Sequence, residues 1–384
     1  MEKNIKLLII THCFPANRDE MVGNFLYDFS KYFRKEGGSV TIFTPKMDSK
    51  YDYDYIKKSV DDIVLFSWKG GTKRLAEMDK KSINDLFKII SLFRSGNREL
   101  KSLLQERKFD YILSPWAIPN GYYASSVNKK LKIPYAIWAL GSDINNYSKN
   151  PFLNILIKKG YKYCDYSFAN SIGLCKTVLD KYKKFTDILT TNREIPSQNI
   201  EYREEEKIKL IFIGRLEKVK GADILIDAVH LSGKSSKINV TIFGDGSERE
   251  TLEQKISSYG LSGSVSIEGF QNAQTVANKL KESDYLVISS RSEGMPVVFW
   301  EAMQTETPVI STNVGDIKHY CDLYNVGRTV EVDPKKLSDL ISFIVEFRHL
   351  RKVLSKNCKK IAKLISIKSS AKKFYNFVEK RVQK

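Results

Sequence analysis

The chain has 384 residues, of which 42% are hydrophobic and 11% aromatic, and its formal net charge is +18. This length exceeds one ordinary compact core and predicts two domains, while the apolar content excludes a wholly disordered chain. The five cysteines and four histidines are scattered, without the paired spacings typical of zinc or thiol-exchange sites, so we expect reduced thiols and no metal site.

The N-terminal region contains a short apolar run, Leu7 to Ile10, followed by the polar residues Thr11 and His12. Such a run suits a buried first strand better than a signal peptide. No stretch of the chain reaches the length that spans a bilayer. We therefore expect a cytoplasmic protein, with peripheral association at the inner face of the membrane as a further possibility.

Short apolar strands alternate with amphipathic helices, which predicts mostly parallel sheets covered on both faces. In the first half, apolar residues 25–33 recur at helical spacing and Gly37-Gly38 ends that helix. The strands predicted in this half cover residues 6–10, 39–43, 63–67, 110–113 and 135–139.

The pattern weakens between residues 192 and 207, where polar residues precede the acidic cluster 204–206, a composition that suits a linker. Strands are then predicted at 208–213, 239–243, 264–268, 285–289 and 308–311, and the last segment is predicted to be helical. We expect an N-terminal domain at 1–193, a linker at 194–207, a C-terminal domain at 208–365, and a basic helix at 366–384 that can pack back on the N-terminal domain.

A basic pair follows the first strand of the second half. Gly214 makes a turn that places Arg215 and Lys220 at the carboxyl end of a predicted parallel strand, where open α/β sheets bind ligands. An arginine fork together with a lysine point charge suits a diphosphate. This spacing therefore indicates a binding site for a phosphorylated ligand.

Two carboxylates flank the start of a later helix. Glu293 lies in the loop after strand 285–289, and Glu301 lies about one turn inside the helix that follows. Pro296 suits the first turn of that helix, so residues 294–297 can offer unpaired backbone N–H groups. The carboxylates are too far apart to act as an acid/base pair on one bond, but they can hold two sugars of one extended ligand.

These motifs resemble the glycosyltransferases of family four, which have the GT-B fold: two Rossmann-like β/α/β domains with parallel sheets facing a central cleft. The resemblance covers nearly the whole chain and is most specific in the second half. It is carried there by Arg215, Lys220, Gly244-Asp245-Gly246, Glu293, Glu301, Pro308-Val309-Ile310 and Gly315. Arg193, where glycine usually follows asparagine, is one departure from the family pattern.

The resemblance implies roles for individual residues. Arg215, Lys220 and Glu293 are the implied catalytic residues, with Arg215 and Lys220 on the donor diphosphate. Glu293 and the backbone of residues 294–297 would hold the donor sugar, and Glu301 would bind the ribose hydroxyls. The full set of implied donor-binding residues is Gly23, Gly214, Arg215, Lys220, Gly244, Glu293, Gly294, Met295, Pro296, Val297 and Glu301.

The N-terminal half resembles the family's acceptor side. Gly23-Asn24 resembles the first glycine-containing loop, and Gly141-Ser142-Asp143 looks like the family's H-G-x-D turn, with Leu140 in place of the histidine. The acceptor-side candidates are His12, Asn24, Gly141 and Asp143. His12 can equally be structural or merely exposed, and Asp143 can equally cap a helix.

The implied activity is a retaining transfer of a sugar from a nucleoside-diphosphate-sugar to a glycan or lipid-linked acceptor, in the synthesis of a cell-surface polysaccharide or glycolipid. The implied enzyme is a hexosyltransferase that uses no cofactor and no metal, because cationic side chains stabilise the leaving diphosphate. With Leu140 at the histidine position, the departing phosphate oxygen is the expected proton acceptor.

Three alternatives compete with this interpretation. Asp52-Tyr53-Asp54 matches the D-x-D of metal-dependent glycosyltransferases, but no predicted strand precedes it. A nucleotide-sugar epimerase or hydrolase on the same fold would bind the same donor. A basic nucleic-acid-binding protein would explain the net charge, but it predicts basic stretches interleaved with aromatic residues rather than a donor-site constellation, so we expect no nucleic-acid partner.

The basic excess is concentrated at the C-terminus. Residues 352–384 contain eleven basic residues against the single acidic Glu379. Together with the apolar and basic segment 83–94, this tail makes an anionic membrane surface a candidate partner. The other interpretation is an ordinary solvated lysine face.

Overall fold

The computed structural model describes residues 4–18, 20, 22–73, 75–79, 82–196 and 200–382. It has two compact units: Met1–Thr191 with Ile367–Lys384, and Asn192–Ser366. Residues 197–199 of the predicted linker and Lys384 of the basic tail lie outside the described residues. The boundaries predicted from sequence, at 193/194, 207/208 and 365/366, stay predictions.

The first unit is built on a parallel sheet with strand order β3-β2-β1-β4-β5-β6-β7. Its strands are β1 (Lys6–Ile10), β2 (Ser39–Pro45), β3 (Asp62–Phe66), β4 (Tyr111–Pro115), β5 (Tyr135–Ala139), β6 (Tyr166–Ala169) and β7 (Thr186–Ile188). The helices before the second unit are α1 (Asn24–Lys35), α2 (Tyr53–Lys57), α3 (Ile83–Glu106), α4 (Tyr122–Leu131), α5 (Ser142–Asn145), α6 (Pro151–Tyr163) and α7 (Ile172–Tyr182).

The second unit repeats this architecture with strand order β10-β9-β8-β11-β12-β13, again all parallel. Its strands are β8 (Ile208–Ile213), β9 (Ile238–Phe243), β10 (Val265–Ile267), β11 (Tyr285–Ile288), β12 (Val309–Thr312) and β13 (Gly327–Val330). Its helices are α8 (Ala222–Ser232), α9 (Arg249–Ser258), α10 (Ala273–Glu282), α11 (Val297–Gln304), α12 (Ile317–Tyr324), α13 (Pro334–Glu346) and α14 (Leu350–Leu364).

The last helix, α15 (Ile367–Val382), belongs to the first unit. Phe374 is fully buried, with its ring 5.7 Å from that of Phe29 and 5.9 Å from that of Tyr111. The aromatic stripe of α15 is therefore part of a core, and its lysines are left on the outer side.

Short 3-10 turns cover Leu75–Glu77, Tyr147–Lys149, Lys218–Lys220 and Ser235–Lys237, and a π-type turn covers Ala117–Gly121.

Along each central strand the side chains alternate between the two faces of the sheet, and both sets are apolar. This explains why helices cover both faces. In β1, Leu7 and Ile9 join one apolar cluster with α1 and α15, while Leu8 and Ile10 join another with α3, α4 and α6. In β11 of the second unit, Val287 and Leu286 likewise belong to opposite clusters. Successive side chains of a strand point to opposite faces, so these fully apolar runs need helices on both sides.

The predicted fold class of two Rossmann-like β/α/β domains with parallel sheets is confirmed. The ten strands predicted from sequence correspond to β1–β5 and β8–β12, with ends shifted by at most two residues. Strands β6, β7 and β13 were not predicted. Among the described residues, no helix combines the length and the apolar character needed to cross a membrane.

Candidate active site

Each sheet has one point at which the strand order changes direction. In the first unit this point lies between β1 and β4, and in the second unit between β8 and β11. In open α/β sheets, ligands bind outside the carboxyl ends of the strands at such a switch point, because the loops there turn to opposite faces and leave a crevice. Some of the sequence-predicted residues follow the strands at these two points: His12 and Gly23 follow β1, Arg215 and Lys220 follow β8, and Glu293 follows β11. Gly141 and Asp143 follow β5, Gly244 follows β9, and Glu301 lies within α11.

Lys220 and Glu293 meet across the switch point of the second unit. Lys220, in the turn after β8, donates from Nζ to Glu293 Oε1 at 2.6 Å, and Ser290 Oγ donates to the same oxygen at 2.9 Å. Both charged side chains are mostly buried. Two of the predicted catalytic residues are therefore brought together, and the carboxylate is held by two donors on one oxygen.

Arg215 is placed differently. It follows Gly214 directly after β8, its side chain is exposed, and it has no hydrogen bond or ion pair from its guanidinium within the described parts of the chain. Exposed arginines that lack a protein partner keep all their donors for a ligand. Of the two cations predicted to bind the diphosphate, Lys220 is therefore paired with a carboxylate and Arg215 is exposed.

A second ion cluster connects the loop after β11 with the segment that follows β8. Arg291 forms a two-pronged pair with Asp223 at 2.8 and 2.7 Å, and Lys218 Nζ reaches the same carboxylate at 2.8 Å. Burial raises the pKa of Asp223, but hydrogen bonds from Arg291 and Lys218 outweigh it and hold that pKa well below its ordinary value. This cluster fixes the loop after β11 to the start of α8.

Glycines allow the loops to approach closely. A Cβ on Gly244, after β9, would lie 1.8 Å from the carbonyl oxygen of Gly214, and a Cβ on Gly315 would lie 1.8 Å from that of Gly294. Both distances are far inside van der Waals contact, so any larger residue would displace a backbone segment of the site. In this structure Gly244 serves loop packing, and its predicted contact with a donor stays a prediction.

Glu301 lies one turn inside α11 and is buried, with only 3% of its side chain exposed. Arg193 Nε donates to Glu301 Oε1 at 2.5 Å, and Gln304 Nε2 donates to the Arg193 carbonyl oxygen at 2.9 Å. The helix itself begins at Val297, so Pro296 precedes it instead of occupying its first turn. Of the neighbouring residues, Met295 is buried and Val297 is exposed.

His12, in the first unit, lies at the switch point between β1 and β4. Its ring packs 4.5 Å from that of Trp116, and Asn120 Nδ2 lies 3.1 Å from His12 Nδ1 and 2.5 Å from the carbonyl oxygen of Pro115. A carbonyl oxygen only accepts, so the amide nitrogen of Asn120 faces it and gives its second N–H to His12 Nδ1. With the amide in this orientation Nδ1 accepts, which predicts that the neutral imidazole carries its proton on Nε2.

The backbone around this histidine is unusual. Trp116 has φ 63° and ψ 127°, a conformation that a bulky side chain rarely adopts. Backbone strain of this kind costs about 1–3 kcal/mol and tends to occur at functional sites. The sequence analysis gave no role to Trp116 or Asn120, because nothing in their local spacing marks them.

Asp143 is fully buried and supports the neighbouring loops. Its carboxylate accepts hydrogen bonds from the backbone N–H groups of Ala117 at 2.7 Å, Gly141 at 3.0 Å and Leu140 at 3.2 Å. Burial raises the pKa of this carboxyl, and the backbone donors oppose that rise. Asp143 therefore joins the turn after β5 to the turn after β4, and its effect on an acceptor would act through these loops.

The other acceptor-side candidates lie near turns. Gly23 has φ 85° and immediately precedes α1, which begins at Asn24, and a Cβ on Gly23 would lie 2.8 Å from the Cys13 carbonyl oxygen. Gly141 has φ 112° with open space beside its Cα. The left-handed backbone explains glycine at both positions. Their ligand contacts, and that of Asn24, stay predictions.

The alternative metal motif has a structural explanation. Asp52 caps the short helix α2, accepting from the Tyr55 backbone N–H at 2.9 Å. Among the described residues, no cluster of three or more histidine, cysteine, aspartate or glutamate side chains has a geometry that could hold a metal ion.

Comparison with known proteins identifies the second unit. A sequence model of the family described as glycosyl transferases group 1 matches residues 194–361. This segment, which is less than half of the chain, is similar to that family. The segment matched contains Arg215, Lys220, Glu293 and Glu301, the charged residues among the implied donor-binding set.

Relatives and solved structures support the same superfamily. The chain is 29% identical over 296 residues to an uncharacterized glycosyltransferase of Methanocaldococcus jannaschii, covering 74% of this chain and 78% of that protein. It is 28% identical over 275 residues to a putative teichuronic acid biosynthesis glycosyltransferase of Bacillus subtilis, covering 67% and 66%. The crystal structure of Anabaena HepE in complex with UDP superposes with a TM-score of 0.74 at 15% identity, covering 98% and 100%.

The group 1 match, these relatives and this structural likeness support a glycosyltransferase with the GT-B fold, whereas membership of family four stays a prediction. The expectation from sequence is confirmed at that level. The sequence analysis gave no role to Ser290 and Asn120, and it noted Arg193 only as a departure from the family pattern. An arginine directly before a polar linker was the one available signal for Arg193.

Proposed function

We propose that the protein is a retaining hexosyltransferase that moves a sugar from a nucleoside-diphosphate-sugar to a glycan or lipid-linked acceptor without a metal ion. The observation that carries this proposal is the arrangement at the second switch point. There an exposed Arg215, a Lys220–Glu293 pair and a buried Glu301 follow neighbouring strands of the segment that is similar to glycosyl transferases group 1. Cations suited to a diphosphate and carboxylates suited to sugar hydroxyls then serve one extended ligand.

The donor would be divided among these residues. Arg215 and Lys220 bind the diphosphate, Glu293 accepts hydrogen bonds from sugar hydroxyls, and Glu301 accepts from the ribose hydroxyls. Lys220 and Ser290 both donate to Oε1 of Glu293, so in this proposal Oε2 accepts from the sugar hydroxyl. The UDP complex of HepE is consistent with a nucleotide donor for a chain of this fold.

The chemical step needs charge stabilisation at the leaving group. The bond between the sugar C1 and the diphosphate oxygen breaks, and a new bond from C1 to the acceptor oxygen forms on the same face of the ring. The acceptor hydroxyl proton passes to the departing phosphate oxygen. Arg215 and Lys220 favour this step because the negative charge on the diphosphate grows as the bond breaks.

The first unit would receive the acceptor. In this proposal the neutral ring of His12 accepts at Nδ1 from Asn120 and carries its proton on Nε2, so it would act as a hydrogen-bond donor and not as a base. This agrees with a mechanism in which the phosphate oxygen takes the acceptor proton. A role in cell-surface polysaccharide or glycolipid synthesis is supported by the similarity to a putative teichuronic acid biosynthesis glycosyltransferase.

The test is a transfer assay with a panel of UDP- and GDP-hexoses and candidate acceptors, followed by NMR assignment of the anomeric configuration of donor and product. We expect one donor to be consumed only with acceptor present, and to give a product with the donor's anomeric configuration. Inversion would contradict the retaining mechanism. Rapid donor turnover without acceptor would favour the epimerase or hydrolase alternative.

A further inference from the structure

The first unit exposes an unusually apolar surface on two helices. On α3, Ile83, Leu86, Phe87 and Ile90 follow the i, i+3, i+4, i+7 spacing of one helix face, and all four are exposed, Ile83 at 72% and Phe87 at 63%. Isolated exposed apolar residues are ordinary, but a stripe of them on a folded helix indicates an interaction surface.

Helix α6 extends this surface. Phe152 and Ile155, three residues apart, are 67% and 62% exposed. Ile90 and Phe93 of α3 line a groove of about 730 Å³ together with Phe152 and Leu156 of α6. The two helices thus form one surface, which we call the α3–α6 face: the exposed stripe on α3, the groove, and the exposed residues of α6.

Aromatic side chains of α4 pack against α3 on the inner side of the groove. Tyr122 of α4 lines it, and the Phe93 ring lies 5.8 Å from the Tyr122 ring and 5.9 Å from the Tyr123 ring. Tyr123 is almost fully buried and donates from its hydroxyl to the Leu92 carbonyl oxygen at 2.8 Å. Helix α3 is therefore anchored on its inner side, so its exposed stripe is a surplus that the fold does not need for its own core.

The charges of the α3–α6 face are almost all positive. The charged residues that line the groove are Arg94, Arg98 and Lys101, all exposed, and only Arg98 has an acidic neighbour, Glu99, at 2.9 Å. The charged residues of α6 are likewise lysines. Asp85, the acidic residue of the first turn of α3, is buried and paired with Lys73 and Lys88.

We propose that the α3–α6 face docks on the surface of an anionic lipid bilayer. Exposed phenylalanine, leucine and isoleucine next to arginine and lysine on one face match the boundary between acyl chains and phosphate headgroups. Long cationic side chains can keep their charge among the headgroups while their stems cover apolar surface. Docking of this kind needs no membrane-spanning helix and does not depend on the transferase activity.

This surface differs from the basic C-terminal tail. The tail lysines of α14 and α15 lie on helices whose apolar residues are mostly turned into the cores of their own units, so the tail can supply charge but little exposed apolar area. The α3–α6 face supplies both. Binding through the tail would vanish with salt, whereas binding through the α3–α6 face would keep an apolar contribution after the charges are screened.

The experiment is co-sedimentation of the full chain with vesicles of phosphatidylcholine alone and of phosphatidylcholine mixed with phosphatidylglycerol, from low salt to about 0.5 M. The apolar test is the double variant Phe87→Ser, Phe152→Ser, matched to Phe270→Ser, which removes a ring that is 75% exposed in the other unit. The charge test is Arg94→Gln, Arg98→Gln, Lys101→Gln, matched to Lys352→Gln, Lys356→Gln, Lys360→Gln.

We expect binding to the anionic vesicles to fall at least about tenfold in both α3–α6 variants and to change less than about twofold in both controls. Equal loss in the tail triple variant would overturn the proposal, and so would equal binding to neutral vesicles. A concentration-dependent dimer in light scattering that Phe87→Ser, Phe152→Ser abolishes would also overturn it, because a second copy would then cover the face. Circular dichroism and thermal unfolding verify that each variant is folded.

Discussion

Arg193 holds Glu301 through a 2.5 Å hydrogen bond from Nε to Oε1, and both side chains are largely buried. Gln304, one turn farther along α11, donates a hydrogen bond from Nε2 to the Arg193 carbonyl oxygen at 2.9 Å. The carboxylate proposed to bind ribose is therefore oriented by a residue that stands where the resembled family usually has glycine. A charge-assisted hydrogen bond such as that from Arg193 to Glu301 is shorter and stronger than a neutral one.

The first prediction concerns this contact. Arg193→Ala leaves Glu301 without its orienting cation, so we expect the KM for the donor to rise about tenfold while kcat changes less than about threefold. Steady-state kinetics at varied donor concentration measures the two parameters separately. The matched control is Arg203→Ala, an exposed arginine of the same unit, which should change neither parameter. A loss confined to kcat would contradict a positioning role in donor binding.

The second prediction distinguishes the effects of Arg215 and Lys220, in the loop after β8, on catalysis and on stability. Arg215→Ala and Lys220→Ala should each lower kcat by about 100-fold or more, because each removes a charge that stabilises the leaving diphosphate. Their effects on stability should differ. Lys220→Ala leaves Glu293 with fewer donors and should lower the free energy of unfolding by about 1–3 kcal/mol. Arg215→Ala should change it less, because the Arg215 guanidinium has no hydrogen-bond or ion-pair partner among the described residues.

Urea unfolding and transfer rates on the same preparations measure both effects. Near-normal transfer by the double variant would contradict the assignment of these residues to the donor diphosphate. An equal loss of stability in both variants would contradict the structural difference between the paired lysine and the exposed arginine.

The framework of the fold was predictable because its central strands are apolar on both faces. Strands β1 and β8 contain the short apolar runs Leu7 to Ile10 and Leu210 to Ile213. The strands that were missed lie toward the sheet edges and are short and polar: β6 reads Tyr-Ser-Phe-Ala, β7 reads Thr-Asp-Ile and β13 reads Gly-Arg-Thr-Val. Their pairing depends on neighbouring strands, which composition does not show.

Site residues could be predicted from the sequence only where they come after predicted strands in the order and spacing of the resembled family. Arg215, Lys220, Glu293 and Glu301 were found in this way. The partners that orient them are remote in sequence: Arg193 precedes Glu301 by 108 residues, and Asn120 follows His12 by the same separation. Contacts over such distances are set by packing of the sheet, so local spacing gives no sign of them. Pro296 was placed one residue too far into the helix, an ordinary error at helix ends.

The third prediction concerns the ion cluster of Asp223, Arg291 and Lys218 in the second unit. The pKa of Asp223 is lowered in the folded state, so its contribution to stability is present above the unfolded pKa and is lost as the pH falls toward the folded pKa. Asp223→Asn should lower the free energy of unfolding at pH 7 by about 1–3 kcal/mol and should flatten its decline below about pH 4. Urea unfolding at several pH values measures both features, and an unchanged acid limb would contradict the assignment.

The fourth prediction concerns metal dependence. Asp52 serves as the N-cap of α2, so Asp52→Ala should lower stability by about 1 kcal/mol without lowering transfer, and EDTA should leave the wild-type rate unchanged. Rates are measured with and without EDTA, followed by addition of manganese. Abolition by EDTA with rescue by manganese, together with loss of activity in Asp52→Ala, would favour the D-x-D alternative.

The last prediction tests the tautomer of His12. Because the Asn120 amide nitrogen faces both the Pro115 carbonyl oxygen and His12 Nδ1, the neutral ring should carry its proton on Nε2. Long-range proton–nitrogen spectra of histidine-labelled protein distinguish the tautomers, and His12→Gln assigns the signal. Asn120→Ala should convert that signal to a mixture of tautomers and lower kcat, while His230, stacked 4.0 Å from Tyr259 in the other unit, serves as the unchanged internal reference. A wild-type ring protonated on Nδ1 would contradict the hydrogen-bond assignment, and the proposal that His12 acts as a donor at Nε2 would fall with it.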